Sequence, residues 1–180
     1  MACSTIVKGI NAACDASQGG IKEVYMTTAD VEFTVSAVSG DEMVTAVSGI
    51  TTGETANVFH FQFRKNTASM TSTLNVDDAN GVNYVSTELN MLFTRMDSNK
   101  RTAMAALAVG QAKAIVIDAN GKAWLLGFDE PIQASAGEGA TGAAKGDGNR
   151  YSITLTDEST SWPYEVTSTV LESIKEAAVD

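Results

Sequence analysis

Between residues 66 and 96, polar and apolar side chains alternate on both sides of an Asn80-Gly81 step. An Asn-Gly pair between alternating runs signals a two-residue type I′ hairpin turn, because both central residues need positive φ. Centred there, the hairpin opposes Val76 with Val85, Leu74 with Thr87, Ser72 with Leu89, Met70 with Met91 and Ala68 with Phe93. That is one mostly apolar face. The other face opposes Asp77 with Tyr84, Asn75 with Ser86, Thr73 with Glu88 and Thr71 with Asn90, and is nearly all polar. One register sorts both strands, and a slip of one residue would scramble them. Strands usually have about 5–6 residues, and these arms run to roughly twice that. The expectation is an assembly element whose far half is covered from outside the domain, since otherwise its strand edges stay open. The alternative is a long hairpin folded over its own core.

The first arm changes phase. Phe59, Phe61 and Phe63 are odd-numbered, whereas Ala68, Met70, Leu74 and Val76 are even. An extra residue near 64–67 reconciles them, dividing the hairpin segment 58–96 into a domain part at 58–64 and an extending part from 67.

Ahead of this segment, residues 1–20 are small and polar and predict an arm. Residues 21–26 predict a strand. Val31, Phe33 and Val35 alternate with polar residues as a half-buried strand does. Ser39-Gly40 breaks that run, and residues 43–50 predict another strand, closed at 52–54. Behind it, Asp97 or Ser98 caps an alanine-rich helix that Gly110 stops, with Met104, Leu107 and Ala108 on one face.

Residues 114–118 and 122–128 predict a core hairpin around Asn120-Gly121, with Ile117 facing Trp124 and Ile115 facing Leu126. Residues 134–149, rich in Gly and Ala, predict a flexible loop. Residues 151–156 alternate cleanly. Pro163 makes 162–166 an edge strand, and 167–180 is a C-terminal tail or short helix. The sum is a single domain over 1–180, mainly β. It is a β-barrel or sandwich with one short α-helix and a long extended β-hairpin.

The chain has 180 residues, enough for one domain with its own core. No apolar run approaches the roughly 20 residues of a membrane span. The start, Met-Ala-Cys-Ser-Thr-Ile-Val-Lys, lacks the layout of a signal peptide, so retention in a cytoplasm and no membrane partner are expected. A net charge of −10 argues against a conventional nucleic-acid binder, which needs cations for phosphate.

Cys3 and Cys14 fit no common zinc spacing. His60, between Phe59 and Phe61, reads as structural. Gly137 and Gly142 have a P-loop gap, but Ala143 and Ala144 follow where Lys and Ser or Thr are needed. A calcium loop with Gly81 at its sixth position would start on Val76 and end on Thr87, neither a suitable ligand. No Gly-x-Ser-x-Gly elbow occurs. The expectation is therefore no enzyme, with no catalytic, metal or cofactor-binding residue and no cofactor.

The order of elements resembles the tail tube, or major tail, proteins of bacteriophages: a long hairpin with one polar face, a capped helix, a core hairpin, a Gly-rich loop and a final strand. The runs Ile-Val-Ile-Asp-Ala-Asn-Gly-Lys-Ala-Trp-Leu-Leu-Gly-Phe (115–128), Gly-Gly-Ile-Lys-Glu-Val-Tyr (19–25) and Thr-Gly-Ala-Ala-Lys-Gly-Asp-Gly-Asn-Arg-Tyr (141–151) look like structural proteins of Bacteroides-type phages. The resemblance covers most of residues 19–166.

It implies a homo-oligomer of hexameric rings stacked into a tube, assembled in the host bacterial cytoplasm and residing in the virion tail with other tail proteins. The hairpins would join around a channel that passes double-stranded DNA without binding it. On that reading the channel lining is Ser69, Thr71, Thr73, Asn75, Ser86, Glu88 and Asn90. The intersubunit hairpin's apolar face is Met70, Leu74, Val76, Val85, Leu89, Met91 and Phe93, with Ala68, and it would pack outward onto the helix and outer sheet. Arg64, Lys65 and Arg95 gather at the hairpin base, either in salt bridges between subunits or pointing outward. Segments 1–20, 40–56 and 134–149 would order on assembly. Two alternatives stand beside this: another ring component (terminator, connector or collar), and a carbohydrate- or receptor-binding β-sandwich using Trp124 or Trp162.

Overall fold

The run Ala114-Ile115-Val116-Ile117 is apolar at every position, which half-buried alternation does not produce. It lies in a sheet with a core on each face. The computed structural model describes residues 9–10, 12, 14–38, 41–51 and 57–179, with only the backbone at 41–44. Cys3, the Ser39-Gly40 break and the closing turn at 52–54 lie outside the described residues.

The six-stranded sheet has the order β11-β8-β7-β1-β4-β12. Its strands are β1 (Ile21–Thr28), β4 (Val58–Gln62), β7 (Ala112–Asp118), β8 (Ala123–Leu126), β11 (Tyr164–Glu165) and β12 (Ala178–Val179). On one face, Tyr25, Ile115, Ile117 and Leu125 meet Phe33 and Val47 from the two-stranded ribbon β2 (Glu32–Val38) and β3 (Asp41–Thr51). Val170 and Ile174 of helix α2 (Ser168–Ala177) complete this core. On the other face, Val24, Met26, Ala114, Val116 and Leu126 meet Leu89, Met91, Ile153 and Leu155. Those four come from a four-stranded sheet ordered β5-β6-β10-β9. It is built from β5 (Ala68–Asp77), β6 (Val82–Thr94), β9 (Gln133–Ala140) and β10 (Arg150–Ser159).

The molecule is mainly β, and among the described residues no sheet closes on itself. Of the barrel or sandwich expected, it is a sandwich. Burial of each Leu, Ile, Val or Met between the layers contributes about 1.5–3 kcal/mol.

Helix α1 (Ser98–Val109) starts where expected: Asp97 Oδ1 accepts from Lys100 N at 2.8 Å. Ala103, Met104 and Leu107 turn inward, but Ala108 is exposed. The tail at 167–180 is the second helix, α2, followed by β12. Of the tail or short helix expected there, the helix is found, a second beside the one short α-helix of the expected fold. The spacing of Val170 and Ile174 puts both on one buried face.

Residues 134–149 are not all loop. Their first part is β9, paired with β10 along Gly137↔Ile153 and Gly139↔Tyr151. Small residues are demanded there, because a Cβ on Gly139 would lie 2.9 Å from Tyr151 Cε1. The loop proper is 141–149.

Both hairpin registers differ from expectation, for one reason. Asp77 Oδ1 accepts from Ala79 N at 3.0 Å and Asn80 N at 3.3 Å, while Asn80 Nδ2 donates to Asp77 Oδ2 at 2.7 Å. This holds a four-residue loop at 78–81 with Gly81 at φ 66, not a two-residue turn. The observed pairs are Leu74↔Val85, Ser72↔Thr87, Met70↔Leu89 and Ala68↔Met91. This shift of two keeps every side chain on its expected face.

In the second hairpin, Asp118 Oδ1 accepts from Asn120 N at 2.8 Å and Lys122 N at 2.9 Å, enclosing a three-residue loop with Gly121 at φ 85. The shift is one residue. Ile117 faces Ala123, and Val116 faces Trp124.

The phase change at 64–67 is where the chain leaves one sheet for the other. Thr67 Oγ1 donates to Arg64 O at 2.7 Å, and Asn66 takes φ 63. The hairpin therefore splits as expected, with β4 in the central layer and β5–β6 in the outer one.

Candidate functional site

The long hairpin does not stand alone. β10 pairs with β6 from Arg150↔Thr94 to Ser159↔Val85, so only residues 75–84 reach past it. The base of the hairpin folds over its own core. Val85, Leu89 and Met91 are buried within the chain, and Met70 and Phe93 are half-buried against the same cluster. Met70, Leu89, Met91 and Phe93 pack within the chain on Met104 and Leu107 of α1 and on the six-stranded sheet. Only Leu74 and Val76, exposed at 48% and 55%, and Val82 at the turn remain uncovered. Val76 and Val82 lie where the hairpin outruns β10, and Leu74, opposite Val85, marks the limit of its cover.

The polar residues predicted from the sequence share one face. Ser69 pairs with Asn90, Thr71 with Glu88, Thr73 with Ser86 and Asn75 with Tyr84. Ser69, Thr71, Thr73 and Glu88 are exposed, and Asn75, Ser86 and Asn90 are half-buried. Thr71, Thr73, Asn75, Tyr84, Ser86 and Glu88 line a shallow concavity of about 290 Å³. Ser69 and Asn90 continue it toward the base.

Neighbouring strands widen this face. Thr154 Oγ1 donates to Asn90 Oδ1 at 2.6 Å, and Thr156 Oγ1 donates to Ser135 Oγ at 2.9 Å, so hydroxyl groups run across β6, β10 and β9. Ser152, Thr154, Thr156 and Ser135 belong to the site and were not assigned to it from the sequence, and Tyr84, on the polar face but outside the expected channel lining, joins them. The alternation of 151–156 was visible, but not which strand it joins. Across all four strands Arg150, at the base end, is the one cationic residue.

The two outer strands, β5 and β9, end the sheet, so each presents a backbone edge with no strand partner among the described residues. At the turn, Asn80 side-chain and backbone donors hold the Asp77 carboxyl below the ordinary aspartate range. At the end of β10, Asp129 Oδ2 accepts from Thr160 N, Ser159 Oγ and Thr160 Oγ1, each at 2.9 Å, and its pKa is likewise lowered.

A second concavity, of about 470 Å³, is apolar. Met26, Phe59, Phe61, Phe93, Met104 and Leu107 line it between α1 and the central sheet. His60 stacks on Tyr25 with ring centroids 4.6 Å apart, a packing role. Trp124 Nε1 donates to Asp118 Oδ2 at 3.2 Å and the ring is half-buried, while Trp162 is 54% exposed. Cys14 is exposed. Among the described residues no three His, Cys, Asp or Glu side chains converge, and no helix is long and apolar enough to cross a membrane.

No protein-family model, curated protein or solved structure matches the chain.

Proposed function

We propose that the chain is a structural subunit of a bacteriophage tail tube, assembling into stacked hexameric rings around a DNA-conducting channel. One observation carries this reading. A four-stranded sheet whose two edge strands have no strand partner among the described residues presents an outer face of hydroxyl, amide and carboxylate groups, without a cation between its ends.

Open edges of this length favour pairing with further strands, and copies of the same chain supply them in a ring. A closed ring of such sheets removes the edges and turns one face inward. Lined by Ser69, Thr71, Thr73, Asn75, Ser86, Glu88 and Asn90, that face gives phosphate no cationic anchor, so DNA passes without being held. The uncovered residues Leu74 and Val76, on the face away from the channel, then lie against a neighbouring copy. No cofactor and no catalytic group are assigned.

Sedimentation velocity of the purified chain and its Val76→Lys variant tests this reading. The parent chain is expected to sediment as rings or longer assemblies. The variant, charged on an open edge, is expected to shift toward the monomer while melting at the same temperature. A parent chain that stays monomeric at every concentration contradicts the proposal. Discrete rings that never lengthen favour a terminator or connector instead.

A further inference from the structure

The four-stranded sheet is electrically polarised along its strands. At one end lie the β5–β6 turn, the 127–131 loop and the end of β10. There Asp77, Asp78, Asp129, Glu130 and Glu158 are exposed, and among the described residues no Lys or Arg lies within 4.0 Å of their carboxylates. Hydrogen bonds from Ser159 and Thr160 tie Asp129 to this end of β10, beside Val85.

The opposite end holds the 63–67 turn, the start of β10 and the start of α1. Arg64, Lys65, Arg95, Arg101 and Arg150 are exposed there, and none forms an ion pair among the described residues. Arg95 N donates to Asn149 O at 2.6 Å, which fixes Arg95 beside Arg150. Of the carboxylates at this end, Asp97 pairs with Lys100 and Asp147 accepts from the amides of Ala143 and Ala144, which leaves Glu138 of β9, two residues in from Ala140, against five unpaired cations. The length of β10 separates the two ends by about 30 Å, about three Debye lengths at about 0.1 M salt. Neither end therefore neutralises the other within one subunit.

We infer that the acidic end of this sheet docks on the basic end of a second copy, so that subunits associate head to tail along the strand direction. The inference rests on the tube reading and supplies its stacking contact. The occupant is another copy because the two ends are complementary in sign and similar in number of charges, and both lie on one sheet. A head-to-tail contact of this kind uses two different patches, so it propagates instead of closing on itself as a two-fold contact does. Attraction between these exposed charges is screened by salt.

Two triple variants test it: Asp78→Lys/Glu130→Lys/Glu158→Lys, with both ends basic, and Lys65→Glu/Arg101→Glu/Arg150→Glu, with both ends acidic. All six positions are exposed and, among the described residues, none of these side chains is a hydrogen-bond partner of another residue, so neither variant is expected to melt below the parent chain. Electron micrographs of each variant alone should show loss of assemblies longer than one ring. Mixed in equal amounts, the two should form long assemblies again, because every junction is then of opposite sign. Parent assemblies should also shorten between about 0.1 M and about 1 M salt, where the Debye length falls to about 3 Å. The inference is overturned if either variant alone stacks as the parent does, or if two folded variants fail to restore stacking together. Rings that persist while stacking ignores charge overturn this contact and leave the ring reading standing. A parent chain that forms no ring overturns both.

Discussion

Asp157 lies opposite Thr87 across β10 and β6, and its side chain points into the sandwich, where it is 4% exposed. It follows Ile153 and Leu155 on the inward face, yet Oδ1 has no hydrogen-bond partner among the described residues. Burial raises its pKa, with a hydrogen bond from the Gly127 amide opposing and the charges of Asp129 and Glu158 adding to the rise. Between the unfolded and the raised native value, the native state thus holds a proton that the unfolded chain has already released. Stability falls as pH rises from the unfolded value through the raised native one, and above that the penalty is constant. Asp157→Asn removes the buried charge and is expected to stabilise the fold near neutral pH. Its advantage should vanish below the ordinary aspartate range. Chemical denaturation of both chains from about pH 3 to about pH 8 spans this window, and an Asp157→Asn chain weaker than the parent at every pH would refute it.

Leu89 is fully buried between the two sheets, paired with Met70 on one side and Leu155 on the other. Leu89→Ala should cost about 2–5 kcal/mol, for lost transfer energy and the cavity left behind. Leu74→Ala, on the same face but uncovered, should cost under about 0.5 kcal/mol. Paired denaturation curves test the boundary between the covered base and the open tip. Equal losses at the two positions would mean the tip is packed as well.

The strand at β9 makes a separate prediction. Amides that bond to β10 should exchange far more slowly with deuterium than those of the 141–149 loop. Gly139→Ala should destabilise by about 1–3 kcal/mol, because the added methyl meets the Tyr151 ring. Uniform fast exchange over 134–149 would restore the flexible loop read from its composition.

That loop and the two hairpin turns show where the sequence was legible. Alternation in 68–77 and 82–94 placed polar and apolar side chains on opposite faces correctly, since face depends only on parity. Register depends on the turn, and Asp77 and Asp118 each collect amide donors that enlarge the loop beyond the two residues Asn-Gly suggests. A shift of two was harmless at the first turn. A shift of one at the second moved Trp124 opposite Val116 instead of Ile117. Gly and Ala in β9 look like a loop because their reason lies across the sheet, on Tyr151, which no local pattern contains. The same holds for the outer face. Its hairpin half was readable, but Thr154 and Thr156 join it through pairing distant in sequence.

Capping offers a prediction of direction. Hydrogen bonds from the Lys100 side chain and backbone hold the Asp97 carboxyl below its ordinary range. The contribution is present above the unfolded aspartate value and is lost as pH falls through the depressed native one. Asp97→Ala should lower the melting temperature near neutral pH and less so in strong acid. Circular dichroism melts at the two pH values decide it, and an equal drop at both would remove the charge from the explanation.

Negative-stain electron microscopy of the purified, concentrated chain at low salt bears most directly on the tube. Hollow tubes of constant width, built from rings of six and showing an open central channel, are the predicted result. A field of single, separate particles at every concentration would contradict it.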